Sequence, residues 1–256
     1  DRTADMLGIY SKNIGRKAFI EHILNELDIF YFERPEILIK LTRFRGMIKK
    51  DSQEGQGVLL FISHFGPNTG IIPALGNAMP YAQIGLSPTD LIKENNIMDR
   101  TRIRSLMIKE RLLSNTNTLF LSQETGLRKA LNILRTGSSV GIAADGRAGK
   151  KFVPARFLGR EAYFSEGPFK LAYMAKALII PVFPIRENNR IILYFHEPVN
   201  AGMDQLNRDE YISRAVQNYI RCLEERVYSQ PSSYLYFLHL CRVYTREKYN
   251  ALFRQL

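Results

Sequence analysis

His64 is the residue of this sequence best placed to move a proton. It stands where an apolar run, Val58-Leu59-Leu60-Phe61-Ile62-Ser63, enters the turn His64-Phe65-Gly66-Pro67-Asn68-Thr69-Gly70. The run reads as a strand that holds the imidazole still, and the turn leaves room for a substrate. The competing reading is a hydrogen-bonded structural histidine. A second segment, 143–160, carries Arg147, Lys150, Lys151, Arg156 and Arg160 together with one carboxylate, Asp145. Its glycines Gly146, Gly149 and Gly159 let backbone approach a ligand closely, so an anionic head group fits there, with a solvated basic loop as the alternative. His22 on an amphipathic helix, His196 at a strand end and His239 in an apolar tail are weaker candidates. No two histidines have metal-ligand spacing, so no metal site is expected.

Two local patterns do not carry chemistry. Gly137-Ser138-Ser139-Val140-Gly141 has the letters of a nucleophile elbow, which needs a strand before the serine and a helix after it. Here a helix enters and a strand leaves, so these residues read as a helix-to-strand loop. Ala148-Gly149-Lys150-Lys151 lacks the earlier glycine and the closing Ser or Thr of a phosphate-binding loop.

The elements that would position His64 and Asp145 alternate between strand and helix. Strands are expected at Val58–Ser63, Val140–Ala144, Ala177–Phe183 and Ile191–Phe195. Leu127, Ala130, Leu131 and Leu134 recur at helical spacing before Gly137, a natural terminator. A long helix follows Asn207, with Glu210 three residues on and one apolar face of Tyr211, Ile212, Ala215, Val216, Tyr219, Ile220, Leu223 and Val227, and it ends before Pro231. The polar connection from about Met79 to Asn117 is expected to hold short helices around the site. No repeat, low-complexity stretch or linker interrupts the pattern, which predicts an α/β chain forming a single domain over 1–256, a mixed central sheet flanked by helices.

Composition narrows the partners. With 256 residues and 45% hydrophobic content the chain can bury a sizeable core. Cys222 and Cys241 give neither a zinc spacing nor a disulfide framework, which points to a reducing compartment. The net charge of +11 favours an acidic carrier protein, an anionic membrane surface or nucleic acid, and the absence of a recognised RNA-binding motif argues against the last. No apolar run reaches the roughly 18 to 20 residues that span a bilayer. Asp1-Arg2-Thr3 does not read as a signal peptide, and the missing initiator methionine is compatible with a removed N-terminal segment, an anchor included.

The strand followed by His64-Phe65-Gly66 resembles the first block of the lysophospholipid acyltransferase superfamily, and its bacterial lipid A lauroyl/myristoyl branch in particular. The similarity continues through Asp145-Gly146, Phe152-Val153-Pro154, Phe157-Leu158-Gly159, Ser165-Glu166-Gly167, Leu171-Ala172 and Pro181-Val182-Phe183-Pro184. It closes on Pro231-Ser232-Ser233-Tyr234-Leu235-Tyr236-Phe237-Leu238-His239, and spans about residues 15 to 245. The resemblance implies an acyltransferase-like fold and transfer of an acyl group from an acyl-carrier protein or coenzyme A thioester to a hydroxyl or amine. It makes His64 the general base, with no covalent enzyme intermediate, no metal and no bound cofactor; the acyl thioester is a donor substrate. Asp145, Gly146, Arg147, Lys150, Arg156, Gly159, Ser165 and Gly167 would hold the acceptor or its phosphate, and amides around Gly66 the oxyanion.

Two positions depart from the pattern. The family motif is a histidine, four residues, and then Asp or Glu, but here Thr69 stands at that place, with Asn68 beside it. Thr69 or Asn68 would orient the ring without adding charge, which suits an already nucleophilic acceptor such as an amine, unless Asp90, Asp99 or Asp145 takes over the role. Gly146 replaces the glutamine usual in the lipid A branch. A non-catalytic lipid- or carrier-binding module of the same fold is the first alternative, and a tRNA-dependent transferase the second. The implied location is cytoplasmic, peripheral on the inner membrane.

Overall fold

The computed structural model describes residues 4–5, 8, 12–46, 55–87, 104, 107–109, 111–113, 116–121, 125–146, 149–243 and 252–253. The chain begins with helix α1 (Ile14–Asp28), a 3-10 turn (Ile29–Glu33), α2 (Pro35–Leu41) and strand β1 (Thr42–Arg45). Then follow β2 (Val58–Ile62), α3 (Ile72–Ala78), β3 (Tyr81–Gly85), β4 (Thr118–Phe120), α4 (Gly126–Arg135) and β5 (Ser139–Ile142). The hairpin β6 (Phe152–Phe157) and β7 (Arg160–Ser165) leads into α5 (Glu166–Ala175), β8 (Leu178–Glu187), β9 (Arg190–Phe195), α6 (Arg208–Ser229) and α7 (Ser232–Val243).

Seven strands form one sheet in the order β1-β9-β8-β2-β5-β3-β4. The pairs from β8 across to β4 are parallel, and β9 runs antiparallel to β8, which makes the sheet mixed. A parallel strand covered on both faces reads as a continuous apolar run, which is why all of Val58–Ile62 is buried. Its side chains alternate between two cores. Leu59 and Phe61 pack with α6 residues Tyr219, Ile220 and Leu223, whereas Val58, Leu60 and Ile62 pack with Leu38 of α2 and Ile72 and Leu75 of α3. β2 therefore lies in the middle of both cores.

The four expected strands are all present, and α4 feeds β5 as the helix-to-strand reading requires, with Gly137 at φ 78 ending it. Every apolar residue assigned to the long helix face is buried on α6. The sequence reading did not foresee β1, β3, β4 or the β6-β7 hairpin. Part of the basic segment is thus a two-stranded sheet and not a loop, turning through Leu158 and Gly159, both at positive φ. The connection from Met79 contains β3, and its described residues 104, 107–109 and 111–113 are helical as expected, while its stretch 88–103 lies outside the described residues.

The start of α6 follows from one side chain. Asn207 Oδ1 accepts the backbone N–H groups of Asp209 and Glu210, each at 3.1 Å, satisfying donors that a helix's first turn leaves without partners. Asn207→Ala is expected to cost about 1 kcal/mol of folding stability, the usual effect of losing such a cap. Urea denaturation followed by circular dichroism would measure it, and an unchanged midpoint would show that α6 is held by packing alone.

Candidate active site

The register of β2 on β5 sets the site. The two strands are parallel neighbours with Phe61 opposite Ile142. Three residues further along each strand stand His64 and Asp145, so both leave the carboxyl edge of the sheet side by side. Chain connections diverge here, since β2 leads on to β3 beyond β5 while β5 leads on to β8 beyond β2. Open α/β sheets bind ligands at such a divergence.

Asp145 is buried, and its carboxylate is filled by three donors. Oδ1 faces His64 Nδ1 at 2.9 Å, while Oδ2 accepts the His64 backbone N–H at 2.8 Å and the Tyr234 hydroxyl at 2.9 Å. With its Nδ1 proton directed at the carboxylate, the imidazole carries its lone pair on Nε2. Among the described residues Nε2 has no hydrogen-bond partner, and the ring is 39% exposed. Phe237 stacks on the imidazole with ring centroids 4.4 Å apart and planes within 2°. The strand end below is tied to α6 through Ser63 Oγ and the Tyr219 hydroxyl at 2.7 Å. Burial pushes the Tyr219 and Tyr234 hydroxyls well above the ordinary tyrosine range, and the nearby Asp145 adds to the effect, so both keep their protons.

His64 opens into a cavity of about 120 Å³ between α1, the turn after β2 and α7. Glu21, His22, Asn25 and Glu26 of α1 line one side, with Asn68, Ser233 and Tyr236 among the others. His22 stacks on Tyr236 at 3.9 Å, and burial lowers its pKa against the pull of Glu26. α1 also clamps the turn. Asn25 Oδ1 accepts the Thr69 N–H at 3.0 Å, and Asp28, bound to Arg186 at 2.6 Å, fills the space where a Cβ on Gly70 would stand.

The geometry redistributes the residues singled out from the sequence. His64, Asn68 and Gly66 line the cavity, but the Gly66 N–H donates to the Ser233 carbonyl at 2.8 Å and is committed there. Thr69, which holds the motif's carboxylate position, engages α1 through its amide, and the carboxylate on the imidazole is Asp145 instead. Gly146 follows Asp145 at the sheet edge; Arg147, Asp90 and Asp99 lie outside the described residues. Lys150 is exposed, and Ser165 and Gly167 open α5, with Ser165 against Gly149. Arg156 and Gly159 line a different depression of about 340 Å³ on the hairpin, together with Arg160 and Glu161, and neither contributes to the His64 cavity. Sequence reasoning missed Tyr234 and Phe237, whose only local signal was the aromatic spacing of the closing segment, and the α1 wall apart from His22.

Residues 42–242 match the family model described as bacterial lipid A biosynthesis acyltransferase. No curated protein matches the chain. Among solved structures, the chain is similar to the 1-acyl-sn-glycerophosphate (LPA) acyltransferase PlsC from Thermotoga maritima. The two are 13% identical over 90% of this chain and 87% of that chain, with a TM-score of 0.44.

The cavity wall has one electrostatic consequence. Burial raises the Glu21 pKa, Arg186 partly offsets this, and Asp28 adds to it; Glu21 Oε2 and Arg186 Nε are buried with no hydrogen-bond partner among the described residues. A raised carboxyl pKa means that the folded chain keeps a proton which the unfolded chain has released. Stability contributed by Glu21 is therefore full below the ordinary Glu range and lost as pH rises through the raised value. Glu21→Gln is expected to melt at a higher temperature than the parent at pH 8, and the gap should close below pH 4. A gap independent of pH in thermal denaturation would refute the assignment.

Proposed function

The chain belongs to the bacterial lipid A biosynthesis acyltransferase family, and on that premise we propose that His64 is the general base of a thioester-dependent acyl transfer. One observation carries the reading: an imidazole with Nδ1 on a buried carboxylate and Nε2 open to a cavity. A hydroxyl or amine acceptor in the cavity attacks the thioester carbonyl carbon. The new C–O or C–N bond forms as the acceptor's proton passes to Nε2, and Asp145 stabilises the resulting imidazolium. Collapse of the tetrahedral intermediate breaks the C–S bond, and the thiolate leaves with the proton from Nε2. The base ends the cycle neutral.

Asp145 changes what Thr69 implies. An imidazole without a carboxylate would suit only a good nucleophile such as an amine. With Asp145 on Nδ1, a counter-charge faces the imidazolium that forms during proton transfer, and an alcohol is as reasonable an acceptor. The Gly66 amide is spent on Ser233, so no oxyanion donor is assigned to it. The +11 charge and the exposed Lys150, Lys151 and Arg156 favour an acidic donor, an acyl-carrier protein before coenzyme A. A non-catalytic binding module would have no use for a desolvated carboxylate trained on an exposed imidazole.

The test is to incubate the protein with acyl-carrier protein and coenzyme A thioesters and a metabolite extract, and to read products by mass spectrometry. His64→Ala is expected to lower transfer by about 100-fold to 10,000-fold. Asp145→Asn should come within that range, as when a catalytic imidazole loses its buried carboxylate, while Thr69→Val stays at least about tenfold closer to the parent. Undiminished turnover in folded His64→Ala would end this reading.

Peripheral docking on an anionic membrane is supported by α1. The face opposite its cavity residues exposes Phe19, Ile20, Ile23 and Leu27, continued by Phe30 and Tyr31, and Lys12, Arg16 and Lys17 are exposed at its start. An exposed apolar stripe edged by cations fits a bilayer of anionic lipid, and a helix is only about 10 Å thick, so the cavity would sit just above the surface. No helix among the described residues is long and apolar enough to cross a membrane. Sedimentation with phosphatidylglycerol vesicles is expected to carry the protein down, and Phe19→Ser with Phe30→Ser to release it. Equal binding by parent and variant would place the contact elsewhere.

A further inference from the structure

α7 supplies three supports to the base. The Ser233 carbonyl holds the turn through the Gly66 N–H, Phe237 lies flat on the imidazole, and the Tyr234 hydroxyl donates to Asp145 Oδ2 at 2.9 Å. Tyr234 is fully buried and reaches no part of the cavity lining, so it does not touch a substrate. We propose that Tyr234 is a positioning residue that sets the strength and aim of the base through Asp145.

The inference rests on the acyl-transfer reading for its use, although its geometry is independent of it. A carboxylate has two oxygens and a free rotation, and a neutral donor on one of them does two things. Together with the His64 N–H on the same oxygen, it fixes the plane of the group, so that Oδ1 stays on Nδ1. It also spreads the negative charge, so that the carboxylate holds the imidazolium less tightly and the ring gives its proton up more readily to the leaving thiolate. The hydroxyl suits this because burial keeps it protonated. Among the described residues, the other titratable groups facing His64 are Glu21, His22 and Glu26 of α1 across the cavity, with Lys109 paired to Glu26 at 3.2 Å and Arg186 near Glu21, Tyr236 of α7 in the cavity lining, and Tyr219 of α6 behind Ser63. None of them touches Asp145 Oδ2.

The experiment is an NMR titration of the imidazole resonances in the whole protein, which needs no substrate and so reads out even if the acyl-transfer reading fails. His64→Ala identifies one set among the 4 histidines. In Tyr234→Phe the His64 midpoint is expected to move to higher pH. With a working acceptor, turnover should fall by about 10-fold to 100-fold at nearly constant KM, the effect of one lost hydrogen bond to a charged group. Tyr219→Phe, which loses an equally buried hydroxyl bonded to Ser63, should leave the midpoint in place. A fixed midpoint in folded Tyr234→Phe, or an equal shift in Tyr219→Phe, would overturn the proposal. Should Tyr234→Phe fail to fold, 3-fluorotyrosine placed at position 234 keeps the hydroxyl and strengthens it as a donor. The midpoint must then move to lower pH, and no movement would overturn the proposal equally.

Discussion

A carboxylate cut off from water has to be satisfied by donors, and the structure around Asp145 is organised to satisfy it. An unpaired buried charge is among the costliest defects a fold can carry. Here the His64 ring, the His64 backbone and Tyr234 fill both oxygens. Each donor comes from a different constraint. The backbone N–H is there because β2 and β5 are parallel neighbours in register, the ring because β2 ends where it does, and the hydroxyl because α7 folds back over the sheet edge.

That dependence explains why the cores are built as they are. β2 is buried on both faces, with alternate side chains in two separate apolar layers, so its end cannot shift without disturbing both. The turn that follows is then fixed from outside, by Asn25 on Thr69, by Ser233 on Gly66 and by a left-handed Gly66 whose Cβ would lie 2.3 Å from the Pro184 carbonyl. Rigid positioning of a reacting group within a fraction of an ångström needs this kind of surrounding support.

The sequence made the local elements legible where periodicity was strong. The apolar run of β2 and the heptad-like face of α6 both carry their own pattern, and both formed as expected. Short edge strands such as β1 and β4, of four and three residues, hold too few side chains to show alternation. The β6-β7 turn uses Leu158-Gly159 and not the Asn-Gly that announces a hairpin, so a basic loop was the natural reading. At the site, His64 was legible because a strand visibly ends there. Its partner was named among three distant carboxylates but could not be singled out, since the pairing spans 81 residues and depends on strand order. Tyr234 and Phe237 looked like ordinary core aromatics of a terminal helix.

The position of α7 in the chain has a bearing on when the surroundings of His64 and Asp145 are complete. Residues 64 and 145 leave the ribosome well before 234, and N-terminal parts of a chain begin to organise while synthesis continues. The sheet can therefore gather around β2 with the carboxylate still short of one donor and the imidazole without its stacking partner. Docking of α7 completes both at once, next to the α1 wall that it packs against. The His64–Asp145 pair thus gains its last supports late, and a nascent or C-terminally clipped chain would hold a formed sheet but an unsupported imidazole.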